Sequence, residues 1–223
     1  MDATRYNGPM EKTPALREKR RLDNLEQMIP YLFALGCART WMTLTFAAPW
    51  AGLAVPFDPH VLFDYLYAGF GIAATLLARS LAPLHRRPWA KRGAALAMLS
   101  ASLCIIAVPA APEAAGALAV GAAVFGSFGF CTVLLMYNEA MVPLSLIRIA
   151  LYSAASRFIA VPLAYLCQGL SGDRFAVVLV LLPLVAVGSL ALAFRALPER
   201  ETAARAYPKF SFPVKPLAVL CIY

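Results

Sequence analysis

The chain has 223 residues, 61% of them hydrophobic and 14% charged, with a mean hydropathy of +0.68 and a formal net charge of +8 at pH 7. That apolar excess excludes an ordinary soluble domain. The positive charge then has two readings, affinity for nucleic acid or a membrane topology signal, and where the basic residues sit decides between them.

Residues 1–28 form a polar tail carrying Arg5, Lys12, Arg17, Lys19, Arg20 and Arg21. Leu16, Leu22, Leu25 and Met28 fall near one side of a helix whose other side is charged, so the tail is either an amphipathic helix on the inner membrane surface or a basic topology flank. No cleavable signal peptide is visible, because the first apolar block is as long as a full span and no A-x-A-type site follows it. Six apolar blocks come next: Ile29–Leu53, Val61–Leu81, Gly93–Val108, Ala114–Tyr137, Leu144–Leu170 and Phe175–Phe194. Each is near the roughly 20 residues a spanning helix needs. A basic linker, 195–215, leads to a further apolar run at 216–223, read as the start of a seventh helix in a chain that stops in mid-span.

The gaps between blocks alternate in charge, except that the short segment 138–143 carries only Glu139 and is neutral evidence. The tail, the second connection with its helix ends (Arg79, Arg86, Arg87, Lys91, Arg92) and the linker (Arg195, Arg200, Arg205, Lys209, Lys215) hold every Lys and Arg except Arg39, Arg148, Arg157 and Arg174. The gaps 54–60, 109–113 and 171–174 hold Asp58, Glu113 and Asp173 against the single Arg174. Basic residues near helix ends stay in the cytoplasm, so the expectation is an all-α, six-span bundle at residues 29–194 with both ends cytoplasmic, in a bacterial inner membrane.

Inside the spans an ionisable side chain costs roughly 2.5 to 3.5 kcal/mol at mid-helix on insertion scales and needs a reason to be there. Arg39, Asp64, Glu139, Arg148 and Arg157 are the candidates. Arg39 and Arg157 fall nearest mid-depth at about 1.5 Å rise per residue, with Thr43 one turn from Arg39 and Ser153 one turn from Arg157. Two inward arginines suit a small anionic ligand; the competing reading is that each bonds backbone carbonyls or pairs with Asp64 or Glu139. In the fourth block, Ala117 and Gly121, then Ala122 and Gly126, recur four apart, the spacing that lets helix backbones approach closely. Pro49, Pro162 and Pro183 mark kinks or hinges.

The five cysteines stand singly in apolar blocks and read as small hydrophobes, and His60 and His85 lack a second ligand at metal-binding spacing. No nucleotide-binding, hydrolase or metalloprotease motif occurs, so neither catalysis nor a cofactor is expected. With no polar stretch longer than the tail, this chain is not expected to bind nucleic acid.

Two family resemblances follow from these residues. Six spans, inside termini and the connection RALPERETAARAYPKFSFPVKP resemble the first half of a major-facilitator-type transporter, although the second gap, LLARSLAPLHRRPWAKR, lacks that family's Gly and Asp signature. Gly129–Leu170, with Glu139 closing the fourth block and ALYSAAS opening the fifth after an Arg, together with FPVKPLAVLCIY, is similar to bacterial membrane-bound LuxR-type regulators. That resemblance implies a sensory membrane half without its DNA-binding domain, partnered by lipid, by a second six-helix bundle and by a small-molecule ligand. The alternatives are a transporter half for a small anionic or amphipathic solute and a structural membrane partner.

Overall fold

The computed structural model describes residues 25–46, 55, 57–141, 146–170 and 172–196. They form six long helices: α1 Leu25–Phe46, α2 Pro59–Leu76, α3 Pro88–Ala107, α4 Ala115–Met141, α5 Leu146–Gln168 and α6 Asp173–Ala196. No strand occurs among the described residues. Four stretches, Pro88–Ala110, Pro112–Glu139, Ile149–Gln168 and Asp173–Phe194, are long and apolar enough to cross a bilayer, which makes this a helical membrane protein. Most of the tail expected at 1–28, the linker beyond Ala196, the run 216–223 and Pro49 lie outside the described residues.

Local chemistry sets the helix ends. Asp58 caps α2, its carboxylate accepting the His60 amide at 2.8 Å, and Pro59 occupies the first helical position, where its missing N–H costs nothing. Pro88 does the same for α3, so that helix starts five residues before the apolar block at Gly93 and takes Lys91 and Arg92 into its first turns. α6 opens with Asp173 just after Gly172, whose φ of 57° suits glycine. Between α2 and α3 the chain makes a helical turn at Ala78–Leu81, a cis Ala82–Pro83 bond and a 3₁₀ turn at Leu84–Arg86.

The helices pack in a repeating pattern. α1 packs extensively on α5 and α6, and α4 packs extensively on α2 and α3. α1 also meets α4, and α3 meets α6. Exchanging α1 with α4, α2 with α5 and α3 with α6 leaves this set of pairs unchanged, so α1–α3 and α4–α6 occupy equivalent places around a central α1/α4 contact.

Small residues set the closest approaches. A Cβ on Gly129 would lie 2.6 Å from Met98 Cγ and 3.0 Å from the Ala94 carbonyl, so α4 and α3 touch backbone to backbone there. A Cβ on Gly36 would lie 2.7 Å from Ile159 Cγ2 on α5. Of the small residues expected to pack, Ala122 is fully buried, Gly126 faces Phe46 and Trp41 of α1, Gly121 faces Cys104 of α3, and Ala117 is exposed. We expect Gly129→Val to lower the thermal midpoint in detergent by an amount equivalent to about 1–3 kcal/mol of overpacking. Gly116→Ala, whose added methyl meets nothing within 4 Å, should leave the midpoint unchanged when both variants are melted side by side.

Candidate functional site

The polar interior is organised by three consecutive residues of α1. Arg39 is only 7% exposed, Thr40 and Trp41 are fully buried, and each reaches a neighbouring helix. The Arg39 guanidinium donates through Nη1 to the Ser153 carbonyl at 3.0 Å and to Ser156 Oγ at 2.8 Å, both on α5. The Ser156 hydroxyl in turn donates to the Ser153 carbonyl at 2.6 Å, which orients its lone pairs toward the cation. Thr40 Oγ1 lies 3.0 Å from the Gly36 carbonyl in its own helix and 3.2 Å from the Ala160 carbonyl on α5. Thr43, half-buried one turn on, donates to the Arg39 carbonyl at 3.1 Å.

Trp41 points the other way. Its indole N–H donates to Ser102 Oγ on α3 at 2.8 Å, and the Ser102 hydroxyl lies 2.8 Å from the Leu179 carbonyl on α6 and 3.1 Å from the Met98 carbonyl. One serine thus joins α1, α3 and α6. A hydrogen bond from a charged donor to a buried acceptor contributes about 1.5–3 kcal/mol, enough to offset a large part of the burial cost of Arg39.

The remaining candidates from the sequence separate. Ser153 is buried against Arg39, whereas Arg157, one turn along α5, is exposed. Asp64 is exposed near the start of α2, with its carboxylate 3.5 Å from His60 Nδ1. The Arg148 side chain is not among the described ones.

Glu139 does something else again. At the end of α4 its carboxylate accepts the Leu84 amide at 2.6 Å and the His85 amide at 2.9 Å, and Oε2 lies 2.9 Å from His85 Nδ1. The His85 ring stacks on Phe194 of α6 with centroids 4.6 Å apart, Tyr31 of α1 meets the same Phe194 ring edge-on at 5.6 Å, and the Lys91 ammonium lies 5.9 Å from its centroid. The Arg87 guanidinium donates to the Ser80 carbonyl and sits 6.0 Å from the Trp89 ring. The basic gap is therefore folded against the bundle end by one carboxylate and one aromatic stack.

Sequence reasoning passed over Ser102, Ser156 as a partner of Arg39, and His85 as anything but a bystander. A serine or histidine becomes legible only once the helix facing it is known. No family model, no curated protein and no solved structure matches this chain.

Two expectations follow from this geometry. Ser102→Ala strips the Trp41 N–H of its acceptor in a dry interior and should cost about 1–3 kcal/mol, whereas Ser102→Thr, which keeps the hydroxyl, should recover part of it in the same denaturant titration. Glu139→Ala frees two backbone amides at a half-exposed site. Exchange at Leu84 and His85 should rise roughly tenfold by mass spectrometry, with the amides of α3 beyond Ala94 unchanged.

Proposed function

We propose that the chain is a six-span, solute-recognising bundle of the major-facilitator kind, serving as the sensory membrane half of a LuxR-type regulator. The observation that carries this reading is the exchange pattern of helix contacts around α1 and α4. With the tail inside, α1 and α4 run in opposite directions, so α1–α3 and α4–α6 are inverted repeats, an organisation found in proteins that recognise solutes near the membrane midplane at the repeat interface.

Arg39 gives that interface its chemistry. It is a buried cation on the central helix, held by neutral oxygens of Ser153 and Ser156 that a carboxylate or phosphate can replace. A charged acceptor forms shorter and roughly twice as strong bonds with a guanidinium as a neutral one does. The ligand class is therefore a small anion or an amphiphile with an anionic head. The sensory reading is favoured over transport by the α2–α3 loop, which lacks the Gly and Asp signature of permeases and is strapped to α4 by Glu139. The second bundle is the partner this reading requires; α2 and α5 offer it broad exposed faces, among them Tyr65, Ile72, Phe158 and Tyr165.

Topology is tested with single cysteines in a background whose native cysteines are replaced. A thiol at Glu113 should react with a membrane-impermeant maleimide in intact cells and one at Arg86 only after permeabilisation; the reverse pattern removes the six-span, inside-terminus assignment. Ligand class is tested by melting the protein in lipid nanodiscs against a panel of small carboxylates and phosphate esters. A stabilising member should lose its effect in Arg39→Leu, while a shift equal to wild type would show that Arg39 is not the anion's partner.

A further inference from the structure

We infer that α5 is the moving gate of the bundle, held shut by the Arg39 clasp, while its counterpart α2 is a fixed wall. The inference goes beyond the sensory reading, because it concerns how the bundle opens whichever solute it recognises.

The two helices occupy equivalent places, α2 against α4 and α5 against α1, yet they are fastened by different chemistry. α2 is fastened by rings. Phe63 lies 4.4 Å from Phe46 of α1 and 6.1 Å from Phe130 of α4, Tyr67 lies 5.7 Å from Phe130, and Phe70 meets Phe128 edge-on at 5.6 Å. Such packing is spread over many atoms, and no single event releases it. α5 is fastened by discrete bonds concentrated on one turn of α1: Arg39 to the Ser153 carbonyl and Ser156 hydroxyl, and Thr40 to the Ala160 carbonyl.

The membrane sharpens this difference. Between helices in lipid there is no hydrophobic drive for either helix, because acyl chains solvate an apolar face as well as another helix does; α2 is then held by van der Waals packing of its rings, and α5 by packing plus bonds that a competing anion can exchange. On α5, Leu151, Phe158, Val161 and Leu166 are exposed, with Arg157 exposed beside them, so these apolar side chains can meet lipid or a second bundle in either position. What holds α5 in register is thus the polar clasp together with the tight seat of Ile159 on Gly36. α5, like α2, packs extensively on a single long helix, so a shift of α5 breaks one interface, whereas a shift of α3 or α6 breaks several; what separates α5 from α2 is the fastening. Releasing Arg39 from Ser153 and Ser156 therefore frees α5 and uncovers the polar side of α1 that carries Arg39, Thr40 and Thr43.

Hydrogen exchange of the full chain in nanodiscs tests this. In the wild type, amides 150–164 of α5 should exchange as one block at least roughly tenfold faster than the central amides of α4, since one interface rather than several must open. Arg39→Met should speed the α5 block by a further factor of about ten or more, and Ser156→Ala by a smaller factor, with amides 61–76 of α2 unchanged in both. Phe63→Leu should do the converse, loosening α2 and sparing α5. Equal acceleration of α2 and α5 in Ser156→Ala would mean general destabilisation and would overturn the gate. So would a wild-type α5 that exchanges no faster than α4. If Arg39→Met does not fold, Ser156→Ala and Phe63→Leu decide the matter by themselves.

Discussion

Everything in the bundle hangs on α1 being wrapped by protein on nearly every side. From Tyr31 to Phe46 its side chains are buried or half-buried except Phe33. A helix in that position does not need to be apolar; it needs partners. Arg39, Thr40 and Trp41 supply them in consecutive positions, which a 100° turn per residue aims at different neighbours. One face reaches α5, another reaches α3 and, through Ser102, α6. The arrangement fixes the rotation of α1 about its own axis, and with it the register of three other helices.

The same constraint explains what the sequence showed and what it hid. The third to sixth blocks correspond to the four stretches apolar enough to cross a bilayer, the central α4 among them. α1 and α2 are not among them; Arg39 and three threonines lower the hydropathy of α1, whose middle is surrounded by protein. Helix starts carry chemical signals, Asp58 with Pro59 for α2 and Pro88 for α3, that an apolar count passes over, so the apolar blocks open later, at Val61 and Gly93.

The candidate site was legible by residue type and not by pairing. Arg39 stands out in any sequence reading because a buried cation is costly. Its partners do not, since Ser153, one turn from Arg157, and Ser156, next to Arg157 in the chain, bond Arg39 in the fold. Helical spacing reports which residues share a face of one helix. It carries no information about which other helix that face meets, and a polar core is made of such meetings.

The Glu139 strap holds the α2–α3 loop mainly through the main chain, with two of its three contacts made to amide hydrogens and one to an imidazole. Main-chain groups are the same whatever residue carries them, proline apart. The loop can therefore change most of its side chains and stay strapped, but a single inserted residue would carry the two amides out of reach of the carboxylate. At this corner the quantity under constraint is a length of backbone, and it leaves no motif in the letters of the loop.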